Sequence, residues 1–112
     1  MSKSPENGLQ LPARYLVMVQ DILREHLPQA DVWAYGSRVH GDSYEASDLD
    51  LVARDPVDLC REIPALWSVQ QAFVDSDLPI IVQIVDWARI SRAFHAEIEA
   101  GYVVIQAGTR PE

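Results

Sequence analysis

Val32-Trp33-Ala34-Tyr35-Gly36-Ser37-Arg38-Val39-His40-Gly41-Asp42-Ser43-Tyr44-Glu45-Ala46-Ser47-Asp48-Leu49-Asp50-Leu51-Val52-Ala53 is the stretch that decides how this chain folds. Two apolar runs, Val32 to Tyr35 and Leu49 to Ala53, bracket a Gly-Ser turn and a pair of carboxylates one residue apart. The spacing predicts a strand, a phosphate-sized turn, a short helix or loop, and a second strand that carries Asp48 and Asp50. Side chains alternate along a strand, so both carboxylates point to one face. Like charges held that close repel unless a cation lies between them. A hard divalent ion takes oxygen ligands and bridges them to phosphates, which suits this pair.

The rest of the composition narrows what surrounds this stretch. A chain of 112 residues, 48% of them hydrophobic, accommodates one small domain with one core. We expect that domain over residues 11–106, with flexible ends at 1–10 and 107–112. No apolar run approaches the roughly 18 residues of a membrane helix, and the polar start lacks the apolar segment of a signal peptide. The single cysteine, Cys60, has no internal disulfide partner, and a cytoplasmic location is the default expectation. Nine Lys and Arg against 17 Asp and Glu give a net charge of −8, with no basic cluster. Direct nucleic-acid binding is therefore not expected, because phosphate contacts supply most of such affinity. A small phosphorylated ligand that arrives with a divalent cation remains compatible.

Outward from the opening stretch, Leu16, Val19, Leu23 and Leu27 recur at helical spacing, widened by Tyr15, Met18 and Ile22. A helix is predicted from about Ala13 to His26, between Pro12 and Pro28. Strands follow at Ala30 to Tyr35 and Leu49 to Arg54. Asp58 to Val74 places Leu59, Ile63, Leu66, Trp67, Phe73 and Val74 near one helical face, with the main helix starting near Pro64. Leu78 to Val85 is rich in β-branched residues and predicts a strand buried on both faces. Asp86 stands where a helix N-cap belongs, Trp87, Ile90, Phe94 and Ile98 repeat at helical spacing, and Gly101 marks the stop. Tyr102 to Ile105 fits a final short strand or a docking arm. The order α-β-β-α-β-α(-β) is that of an α/β (α+β) domain, a small mixed sheet covered by helices.

Each part of the opening motif has a physical reason. Gly36 lets a phosphate approach the backbone, a helix starting after Ser37 would offer amides to an anion, and the Ser37 hydroxyl adds a donor. Arg38 suits either a phosphate partner or the surface. Singly, each half also describes an ordinary turn or strand start. The combination Gly-Ser-x-x-x-Gly-x(5)-Ser-Asp-x-Asp, between two apolar strands, resembles the nucleotidyltransferase superfamily typified by DNA polymerase beta. Along nearly its whole length, through Leu78-Pro79 and Val85-Asp86-Trp87 to Tyr102-Val103-Val104-Ile105-Gln106, the chain looks like the minimal nucleotidyltransferase family, the antitoxin half of HEPN/MNT toxin–antitoxin modules. The resemblance implies a palm-like fold and nucleotide contacts from Gly36, Ser37, Arg38 and Ser47. It also implies Asp48 and Asp50 as catalytic ligands of Mg2+ in a two-metal site, ATP as substrate, and a helical HEPN RNase toxin as partner in a hetero-oligomer. The expected activity is AMP transfer from ATP to a tyrosine of that toxin.

One position departs from the family pattern. Where the resemblance implies a third carboxylate, this chain has Gln83. Asp86 does not replace it, since an odd separation on a strand points the two side chains to opposite faces. A glutamine oxygen ligates a hard ion more weakly than a carboxylate and is no base near neutral pH. Nucleotide binding kept and transfer weakened is the expectation, with one metal less firmly held. The alternative is a nucleotide-binding antitoxin that inhibits its HEPN partner by stoichiometric binding. Elsewhere, His26, His40 and His95 read as surface residues, with a site role conceivable only for His40. Cys60 reads as core, Trp33, Trp67 and Trp87 as core or partner surface, and Asp42 and Glu45 as solvated loop charges.

Overall fold

The sheet has the order β3-β2-β1-β4, and its register fixes everything that matters for the site. In the computed structural model, residues 9–41, 47–64 and 66–108 are described. Asp42, Glu45 and most of the two expected flexible ends lie outside them. α1 spans Ala13–His26, β1 Asp31–Tyr35, α2 Ser37–His40, β2 Leu49–Arg54, α3 Leu66–Val74, β3 Val82–Asp86, α4 Arg92–Glu99 and β4 Val103–Gln106, with a 3₁₀ turn at Trp87–Arg89. β1 runs antiparallel to both β2 and β4, whereas β2 and β3 are parallel. A parallel pair needs a crossover, and the segment carrying α3 supplies it.

Alternation gives the sheet two unlike faces. Val32, Ala34, Leu49, Leu51, Ala53, Val82, Ile84, Val103 and Ile105 share one core with Val19 and Leu23 of α1 and Val69 and Phe73 of α3. Each fully buried side chain of this kind stabilises the fold by about 1.5–3 kcal/mol. The opposite face carries a second cluster of Trp33, Val52, Trp87 and Ile98, against which Phe94 of α4 packs. Arg54 lies over the Trp33 ring at 4.1 Å and pairs with Asp31 at 3.5 Å. On this face the cross-strand registers set three rows: Tyr35–Asp50–Gln83, then Trp33–Val52–Val85, then Asp31–Arg54.

Several expectations are corrected here. The Leu78 to Val85 run is not a strand buried on both faces. The strand begins only at Val82 and runs to Asp86, an edge strand with alternating burial, and Ile81 and Gln83 are exposed. β-branching signalled a strand, but strand order decides burial, and order is not local. The helix ending at Val74 begins at Leu66, so Leu59 is not on it, and Leu59, Trp67 and Val74 are exposed. Cys60 is exposed, in the turn whose Asp58 carboxylate accepts its amide, and does not belong to the core. Asp86 does act as a cap, accepting from Ala88 N, but the element it caps is the 3₁₀ turn; Ser91 caps α4. His95 is no free surface histidine: its ring stacks on Trp87 at 3.8 Å, with Nε2 2.7 Å from the Trp87 carbonyl. Tyr102 to Ile105 resolves as strand rather than arm, at Val103–Gln106. Two contacts lie outside residues 11–106. Leu9 is buried, and the Gly108 amide donates to Asp31.

An edge strand exposes unpaired amides and carbonyls that invite other strands. On β3 the chain closes this edge with a side chain: Gln70 Nε2 donates to the Val82 carbonyl at 2.7 Å, and the Ile84 amide donates to Gln70 Oε1 at 3.0 Å. One amide group thus stands in for a neighbouring strand. Gln70→Ala is expected to cost about 1–3 kcal/mol, the loss of two hydrogen bonds, in a denaturant titration. Concentration-dependent association in light scattering should rise with it.

Candidate functional site

The turn after β1 and the start of β2 meet at Gly36. Gly36 adopts φ 85°, in the region that favours glycine. A β-carbon there would stand 2.6 Å from Asp50 Oδ2, so the position excludes any side chain twice over, by backbone and by contact. Gly36 is also the residue before α2: its carbonyl accepts from the amides of Val39 and His40, and Ser37 opens the helix. The amides of a first helical turn precede the intrahelical bonds and point away from the helix body. The Gly-Ser turn and one carboxylate of the pair are therefore neighbours in space.

Asp50 occupies the first row of the site face, with Asp48 two residues ahead of it in the chain. Asp50 is the register partner of Tyr35 on one side and of Gln83 on the other. Asp48 lies just ahead of β2 and has the same parity as Asp50. Burial pushes the Asp50 carboxyl up from its ordinary value of 3.8, and the charge of Asp48 adds to the shift. Burial also pushes the Tyr35 hydroxyl up to about 12, with Asp50 and then Glu97 reinforcing it. Tyr35 and Asp50 are thus half-desolvated beside an excess of negative charge, which a cation would relieve.

Ser47 and Arg38 take structural posts in this arrangement. Arg38 is 4% exposed, and its guanidinium turns inward, donating from Nε to the Ser47 carbonyl at 3.0 Å and from Nη1 to the Gln10 carbonyl at 2.6 Å. Of the two readings of Arg38, phosphate partner or surface residue, burial excludes the second. The side chain ties the entry to Asp48 onto the segment before α1. Gln83 is exposed beside Asp50, not a buried polar group in search of partners. His40 approaches Gly101, where an added β-carbon would stand 2.7 Å from its Cε1.

Two residues of the site were missed by sequence reasoning. Tyr35 faces Asp50, and Phe94 meets its ring edge-on at 5.6 Å. Its signal was available: it shares parity with Trp33 and stands directly before Gly36. Glu97 acts on Tyr35 from α4, and only packing reveals that proximity. A cavity of about 660 Å³, lined by His26, Ala30, Asp55 and Arg61 among others, lies at the other end of β1 and β2.

Among the described residues no group of three or more His, Cys, Asp and Glu forms a metal cage. The donor set nevertheless fits a hard cation of the magnesium type: two carboxylates, with an amide oxygen on the neighbouring strand. Such an ion keeps several waters and draws its remaining ligands from a phosphate, so it does not require an all-protein cage. The raised Asp50 carboxyl carries a stability consequence with a definite sign. A carboxyl whose folded pKa lies above its unfolded value supports the fold in its neutral form, and that support is lost as pH rises through the raised value. Asp50→Asn is therefore expected to raise the thermal midpoint at pH 7, with the gain vanishing below about pH 3, where aspartates are neutral in both states.

No family model matches the chain. A probable protein adenylyltransferase MntA from Haemophilus influenzae is 41% identical over 101 residues, which cover 88% of this chain and 84% of that protein. Among solved structures, a crystal structure of a toxin–antitoxin with AMP-PNP superposes with a TM-score of 0.65 over 88% of this chain and 76% of that one. Its sequence identity is 19%, so the likeness concerns the fold, a small mixed sheet covered by helices. No helix among the described residues is long and apolar enough to cross a membrane. With a relative this similar along nearly its whole length, and the glycine turn and carboxylate row joined at Gly36, the chain belongs to the MntA family of protein adenylyltransferases, within the nucleotidyltransferases.

Proposed function

We propose that this chain is an antitoxin that moves AMP from ATP onto a tyrosine hydroxyl of a HEPN-type RNase toxin. The observation that carries the reading is the contact between Gly36 and Asp50, which unites a phosphate-sized turn with a desolvated carboxylate row. The name of the H. influenzae relative and the AMP-PNP in the neighbouring structure point the same way. In this reading Gly36 and Ser37 receive the triphosphate, through the open backbone of the turn, the α2 amides and the Ser37 hydroxyl. Arg38 and Ser47 hold the approach to Asp48 in place. Asp48 and Asp50 would hold Mg2+, whose chemistry when bound is to neutralise phosphate charge and aid in-line displacement. The bond between the tyrosine oxygen and the α-phosphorus forms as the bond to pyrophosphate breaks; the tyrosine proton passes to solvent, and pyrophosphate leaves.

Gln83 sets the limit on rate. Beside Asp50 it offers a neutral oxygen where the family pattern has a charge, so the second metal of a two-metal site is held less firmly. The same residue favours a second reading, a nucleotide-binding antitoxin that occludes its partner stoichiometrically.

Incubating the chain with its toxin, Mg2+ and α-labelled ATP is expected to label the toxin, and Asp48→Ala/Asp50→Ala should abolish both label and neutralisation. Absence of label, with neutralisation intact in the double variant, would leave only the stoichiometric reading. A second measurement tests the third corner. Gln83→Asp is expected to raise the transfer rate and the Mg2+ affinity by roughly 10-fold or more, the scale on which ligand support acts at metal sites. No change in either would remove Gln83 from the site.

A further inference from the structure

The helix layer carries a surface that the transfer chemistry does not use. On α3, Val69 and Phe73 enter the core, while Trp67 and Val74, seven residues apart and so on one stripe, face outward at 76% and 67% exposure. Ile81 is 61% exposed and lines the same shallow groove as Val74. Scattered apolar side chains on a surface call for no explanation, but a tryptophan, a valine and an isoleucine along one path do. The path also leads somewhere. The Ile81 carbonyl accepts the Leu49 amide, and Ile81 precedes Val82, the register partner of Leu49. The patch therefore starts on α3 and ends beside Asp48, at the rim of the carboxylate row.

Its border is acidic. Asp75 and Asp77 are both exposed between Val74 and Ile81, and Gln71 Nε2 holds the Asp75 carboxylate at 3.0 Å on the same helix stripe. A second copy of the chain is a poor occupant. A two-fold contact would set these carboxylates against their own copies, on molecules that each carry a net charge of −8. Strand addition along β3 is blocked where Gln70 occupies Val82 and Ile84. What fits is a helical protein surface whose apolar stripe is edged by lysine or arginine, with Trp67 as the buried anchor.

We propose that Trp67, Val74 and Ile81, bordered by Asp75 and Asp77, are the docking surface for the apolar, basic helical face of the chain's protein partner. The proposal rests on the partner reading given above and adds the place and chemistry of the grip. Trp67 and Val74, the part of the grip on α3, do not belong to the carboxylate row, so substitutions there separate binding from transfer.

The test measures affinity for the purified HEPN partner by calorimetry, with the full chain. Trp67→Glu and Val74→Glu are expected to weaken binding at least tenfold while leaving the thermal midpoint unchanged, since both side chains stand in solvent. Asp75→Lys/Asp77→Lys should weaken it and flatten its salt dependence. Asp48→Ala/Asp50→Ala should bind as the unaltered chain does. Unchanged affinity in Trp67→Glu and Val74→Glu would overturn the surface while leaving the partner reading standing. A dimer of the unaltered chain in sedimentation that Trp67→Glu makes monomeric would assign the patch to a second copy. An unaltered chain that does not bind this partner would overturn the partner reading and the surface with it.

Discussion

The structure depends on the missing side chain of residue 36. Asp50 Oδ2 stands where a β-carbon would crowd it, and the left-handed backbone at that point turns β1 into α2. The antiparallel register that pairs Tyr35 with Asp50 follows from the same closeness. The glycine turn and a strand that presents a carboxylate are thus locked at contact distance. The cost is local: one acidic group is kept in a half-buried pocket against its own preference for water.

Around that contact the molecule divides its labour by sheet face. One face supplies most of the apolar burial, through α1 and α3, and the other arranges polar, aromatic and ionic rows in sequence. Stability therefore comes chiefly from a layer that the site does not touch. Arg38 connects the two concerns. Its guanidinium fastens the entry to Asp48 onto Gln10, so the segment ahead of α1 helps position a carboxylate far along the chain.

Much of this was legible in the sequence, for a physical reason. α1 and β2 read correctly because apolar period and proline punctuation are local properties, and both elements end where the sequence says they should. The strand that carries Asp50 followed from its apolar run, while Asp48 lies just ahead of it. What failed was whatever depended on neighbours. Val82–Asp86 looked doubly buried, yet it is an edge strand, and no local feature reveals sheet order. Cys60 looked internal because of apolar companions that themselves lie on a turn. Arg38 left two roles open in the sequence and the fold removes the surface one, since a buried guanidinium is recognisable only once its carbonyl partners are in place. Gln83 read as a departure from the acidic pattern, and the parallel register, which no local feature reveals, sets it beside Asp50.

The three tryptophans have a consequence of a different kind. Trp33 and Trp87 are buried edge-to-face at 5.5 Å on the site's side of the sheet, whereas Trp67 stands almost bare on α3. The chain thus carries two intrinsic fluorophore environments in separate layers. Red-shifted emission, readily reached by a dissolved quencher, belongs to Trp67. The blue component, shielded and coupled to Arg54 and His95, belongs to the indoles beneath α4. Events on the two faces can be followed separately in one cuvette, without a label attached to either.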